Sequence, residues 1–248
     1  MTFPEHPPLS SPADVATALF AALHDARWSD AVALVDEKVQ AEFHASEVAS
    51  LLSQAQLRVQ FRRMRDGGSG GVGYSPDPAT NAVLLEEFSE MPVLGIEGVR
   101  TIGNYAALSP ADLLARHLEA GNGPVYRFAP SMLARFKREA ESRPGSQLPE
   151  AFPQRVRARQ RRVIGTVVEA SGPDEIAHVV YREERSEAEK VEGSDDGDPF
   201  GVEILHLWHR SAWRVALGRR DHMLFGGPWF ELDYDWEPRG GSPHEQAG

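Results

Sequence analysis

The strongest constraint on this chain is a pair of β-branched runs, "RVIGTVVEA" and "EIAHVVYRE", set around "SGPD" between residues 162 and 183. Such residues suit a pleated strand, and a short polar break between two of them suits a hairpin. A four-residue loop sets Val167 opposite His178 and Gly165 opposite Val180. Val168, Thr166 and Ile164 then meet Ala177, Val179 and Tyr181 on the other face. "VEILHLWHR" and "WRVALG" repeat the pattern around Ser211-Ala212. A loop of even length there sets Trp208 opposite Val215 and His206 opposite Leu217. Antiparallel sheets commonly alternate apolar-in with polar-out. These strands are apolar on both faces, so something must cover the second: a homodimer partner, the acidic insert at 183–200, or the aromatic tail.

Helices precede the strands. "SSPADVATALFAALHDA" opens with Ser11 as cap, Pro12 at the first helical position and Asp14 near the positive helix end. Val15, Leu19, Ala22, Leu23 and Ala26 form one stripe. Residues 27–36 predict a second short helix, 45–65 a third, "NAVLLEEF" a further turn, and 108–120 and 130–143 two more. "SPAD" recurs at 109–112, where another helix needs the same cap. Helices followed by an antiparallel sheet predict an α+β fold, with helices on one sheet face. Residues 1–10 and 239–248 read as disordered ends and 11–218 as a single domain. Within it, 66–80 is a flexible loop and 183–200 an acidic one; 219–238 is a C-terminal cover segment.

Composition narrows the function classes. A net charge of −11 argues against nucleic-acid binding, which needs clustered cations. The absence of cysteine removes disulfides, thiolate nucleophiles and thiolate metal sites. No run of 18 apolar residues spans a membrane, and the start lacks a signal-peptide pattern, so a cytoplasmic chain is expected.

Several motifs carry no chemistry. "GSGGVG" at 68–73 fits a dinucleotide fingerprint in letters, but no buried strand precedes it and no helix opens after it. His206 and His209 are three apart on a strand and leave opposite faces, so they are no metal pair. "DDGD" at 195–198 lacks the twelve-residue calcium pattern. No cofactor and no metal is expected.

"RVRARQRR" at 155–162 alternates Arg155, Arg157, Arg159 and Arg161, which on an extended strand share one face. They suit a phosphate or acidic-peptide cradle, or an edge strand protected against aggregation. "WFELDYDWE" at 229–237 has the same spacing, with Phe230, Leu232, Tyr234 and Trp236 alternating with four carboxylates. Laid beside the arginine strand, or across the sheet next to it, the tail would pair charge with charge and turn its aromatics inward. The rival reading is a peptide that docks on a partner's sheet edge.

"FAALHDARWSDAVALVD", "LSPADLLARHLEAG", "RRVIGTVVEASGPDEIAHVVYREE" and "VEILHLWHRSAWRVAL" together resemble the nuclear transport factor 2-like, or SnoaL-like, superfamily over roughly residues 12–218. The resemblance implies a cone of helices over a curved antiparallel sheet, with a hollow interior and sheet backs that often pair into dimers. His178 and His206 would then point into the cone as proton carriers, or else lie in the core or on the dimer face. No carboxylate stands at a strand position of matching parity, since Glu169, Glu183 and Glu203 sit at strand ends. Tyr105, His117, Tyr126 and Trp208 complete the candidate ligand-binding set, with His117 expected at a boundary. Three functions follow: a binding module for a small apolar ligand or a protein partner, a cofactor-independent lyase or isomerase, and a structural homodimer.

Overall fold

The computed structural model describes residues 11–65, 78–94, 96, 98–122, 160–171, 174–184, 202–216 and 231–232. The architecture is α+β, with six helices, a four-stranded antiparallel sheet and a separate two-stranded one among the described residues. The chain divides into two compact units where one domain over 11–218 was expected. The first unit comprises 1–41, 114–126 and 151–227; the second comprises 42–113, 127–150 and 228–248.

In the first unit, α1 (Pro12–His24) starts as the sequence predicts. Ser11 Oγ accepts from the Asp14 amide at 3.2 Å, and the Asp14 carboxylate accepts from the Ser11 amide at 3.1 Å. Its stripe is buried at Val15, Leu19, Ala22 and Leu23. α2 (Trp28–Ala33) follows, and residues 34–36 then run beside Val215: the Val215 amide donates to the Leu34 carbonyl at 2.9 Å and the Asp36 amide to the Val215 carbonyl at 3.1 Å. The sheet is a meander, β2 (Gln160–Ser171), β3 (Asp174–Glu184), β4 (Val202–His209) and β5 (Trp213–Val215). Helix α1 packs on β2, β3 and β5.

The first hairpin has the predicted register: Val167 pairs with His178, Gly165 with Val180, Thr166 with Val179 and Val168 with Ala177. Beyond Gly165 a bulge intervenes, so Val163 rather than Ile164 pairs with Tyr181. One extra residue reverses the faces of everything before it. The second hairpin corrects the expected register. Its loop has three residues, Trp208 pairs with Arg214, and Leu207 rather than Trp208 pairs with Val215.

In the second unit, α3 begins earlier than the expected residue 45. It runs Glu37–Arg65, its first residues lying in the first unit, because Asp36 Oδ1 accepts from the Lys38 amide at 3.0 Å and the Val39 amide at 3.4 Å. α4 (Pro78–Phe88), β1 (Val93–Leu94), α5 (Ile102–Ala106) and the start of α6 (Pro110–Asn122) surround a core of Leu51, Leu52, Phe88, Met91, Ile102 and Tyr105. Leu232, from β6 (Glu231–Leu232), is part of the same core. Glu231 and Leu232, the described residues of the tail, therefore pair with β1, with Val93 opposite Leu232 and Leu94 opposite Glu231. At these two residues the pairing differs from the expected register beside the arginine strand, whose Arg155, Arg157 and Arg159 lie outside the described residues.

Candidate functional site

The two faces of the four-stranded sheet carry different chemistry. Ala177, Val179, Tyr181, Leu205, Leu207 and Val215 are buried on the face that meets α1, where the Tyr181 ring lies 4.7 Å from that of Phe20. The bulge at Ile164 brings Arg161 to this face. Without the extra residue, Arg161 would share parity with Val167 and His178; with it, Arg161 stands opposite Glu183. The guanidinium meets Glu183 Oε1 at 2.8 Å, and the two side chains are only 3% and 9% exposed. One strand further on, the Tyr181 hydroxyl donates to Glu203, its register partner on β4.

Burial first, then the Glu203 hydrogen bond and charge, push the Tyr181 hydroxyl well above the usual phenol range, against the opposing pull of Arg161. Tyr181 thus stays a proton donor at neutral pH, Glu203 accepts from it, and Arg161 and Glu183 neutralise one another. This set ties three strands together. It also corrects the partner-binding role expected for Arg161, whose charge is enclosed. Sequence reasoning passed over the set because Glu183 and Glu203 sit near strand ends; the signal was that both share parity with Tyr181.

The opposite face is exposed at Val167, Glu169, Ile204 and Arg214 and half-buried at Ile176, His178, Val180, His206 and Trp208. Its residues form rows across the sheet, fixed by register: Glu169–Ile176–Trp208–Arg214, then Val167–His178–His206, then Gly165–Val180–Ile204. Val167 is 56% exposed and Ile204 46%, and a Cβ added at Gly165 would meet nothing within 4 Å. His178 and His206 stand directly opposite one another, edge to face, with ring centres 5.0 Å apart. His178 Nε2 lies 3.6 Å from Glu169 Oε2, so a carboxylate does accompany the histidines, contrary to the expectation from strand ends. The Arg210 guanidinium sits 5.7 Å from the centre of the Trp208 ring. Both histidines therefore lie on the face away from α1 rather than between helix and sheet.

The helical candidates are interior. His117 on α6 is 2% exposed rather than at a boundary, and burial pulls its imidazole down to about 4. Tyr105 lies in the second unit's core, its hydroxyl pushed above the phenol range by burial and then by the Glu47 charge. Tyr126, Arg155, Arg157, Arg159, Phe230, Tyr234 and Trp236 lie outside the described residues. Among the described residues no three histidine, aspartate or glutamate side chains are gathered closely enough to hold a metal ion, and no helix is long and apolar enough to cross a membrane.

No protein-family model matches the chain, and no curated protein or solved structure does so either.

Proposed function

We propose that the chain is a non-catalytic binding module of the nuclear transport factor 2-like kind, and that its working surface is the sheet face away from α1, occupied by a second copy of itself. The observation that carries this reading is the row Glu169–Ile176–Trp208–Arg214, with a carboxylate at one sheet edge, a guanidinium at the other and two large apolar groups between. A two-fold axis along the strands, between β3 and β4, lays Glu169 over Arg214 of the second copy and Ile176 over its Trp208. The same axis lays Val180 over Ile204. Aligned sheets pack face to face in this way about 10 Å apart. Exposed valine and isoleucine side chains grouped on one face favour such a partner over open water.

The lyase reading is less well supported. A catalytic imidazole needs its carboxylate in a site that excludes water, and the Glu169 side chain beside His178 is 67% exposed. Light scattering after size exclusion tests the proposal, with a dimer as the expected species. Charge reversal at one end, Glu169→Arg or Arg214→Glu, weakens it, and combining both changes in one chain restores it because the swapped charges meet across the axis. A strict monomer at about 100 μM, well above the micromolar range of weak specific pairs, or a double variant no better than the singles, rejects it.

A further inference from the structure

We propose that this face binds a divalent metal ion of the imidazole-preferring class, zinc above all, on the two-fold axis between two copies. The inference rests on the second-copy reading above and deepens it. One chain presents His178 and His206 directly opposite one another on adjacent strands, their rings 5.0 Å apart. Two imidazoles are too few for a stable tetrahedral site, in keeping with no three-ligand group among the described residues. The axis that matches Glu169 with Arg214 also lays His178 over His206 of the second copy, so four imidazoles converge at one level.

The dimensions allow it. Strands about 4.8 Å apart in sheets about 10 Å apart put each of the four Cα atoms about 5.5 Å from the axis. That is close to the reach of an imidazole plus a metal–nitrogen bond of about 2 Å, and a slightly wider sheet spacing completes it. Neutral imidazole suits zinc, nickel and copper, whereas calcium and magnesium prefer oxygen donors. The charged neighbours are consistent with a cation. Glu169 on β2 stands 3.6 Å from His178 and can orient the ring, as carboxylates do behind metal-bound histidines. Arg214 on β5 lies one row away, at the sheet edge, where the axis sets it against Glu169 of the second copy.

The experiment uses the full chain stripped with EDTA and titrated with zinc chloride by calorimetry, with light scattering on the same samples. The expected result is one zinc per two chains and a dimer tightened roughly tenfold or more by mass action. Magnesium should have no such effect. His178→Gln and His206→Gln, both on a half-open face where folding is least at risk, each abolish the half-stoichiometric binding. One zinc per chain, binding unchanged by either glutamine variant, or a dimer that takes up no zinc overturns the metal site while leaving the second-copy reading intact. A monomer at every zinc concentration overturns both.

Discussion

Burial of an imidazole has a measurable consequence at His117. The side chain is enclosed in α6 beside Leu114 and Leu118, and desolvation pulls it from an ordinary 6.5 to about 4. The unfolded chain therefore binds a proton between those values that the folded chain refuses. Stability contributed by the neutral ring is fully present above pH 6.5 and is lost as the pH falls from 6.5 toward 4. A shift of this size corresponds to about 3 kcal/mol across the window. Urea unfolding of the protein and of His117→Leu at pH 7.5, 5.5 and 4.5 measures it. The two curves should diverge in slope only below pH 6.5, with the variant flatter. Parallel curves would show that the ring is solvated.

At the scale of elements, the bulge at Ile164 decides where charge is buried, because it turns Arg161 from the face away from α1 to the face carrying Tyr181. A buried ion pair contributes little net stability compared with apolar replacements, yet breaking it strands a charge. Glu183→Ala should thus cost about 3–5 kcal/mol, while the double change Arg161→Met with Glu183→Leu should be near neutral or stabilising. Chemical denaturation of the three proteins checks the pattern; equal losses in the single and double variants would refute it. Much of this sheet was legible beforehand. Loop chemistry and β-branched alternation predicted the first hairpin pair by pair up to Gly165. The bulge escaped because one extra residue leaves no mark in composition, and the second loop because Arg210, Ser211 and Ala212 carry no turn signal that separates two residues from three. The same bulge hid the place of Arg161 opposite Glu183. The start of α3 was missed for another reason: its first turns carry only Val39 and Phe43 as large apolar residues at helical spacing, and the Asp36 cap that announces them was passed over.

For the molecule as a whole, the decisive question is what the alternating tail does. Among the described residues its strand is Glu231–Leu232, and the pairing of these two with Val93–Leu94 is too short to hold by itself. Leu232 supplies the remainder: it is buried among Phe88, Met91, Val93, Ile102 and Tyr105, and its carbonyl accepts from Arg58 Nη1 at 3.5 Å. Residues some 140 positions apart thus share one core, so the second unit closes only after nearly the whole chain has been made. Leu232→Ala removes buried methyl groups and should cost about 2–5 kcal/mol. Phe61→Ala, exposed on α3, should change stability by no more than about 0.5 kcal/mol. Deleting residues 229–248 should be at least as damaging as Leu232→Ala. Hydrogen exchange read at residues 84–105 should accelerate in the Leu232 variant and in the truncation alike. If those amides keep their protection when the tail is gone, the tail does not complete this core, and its aromatics are left for a partner instead.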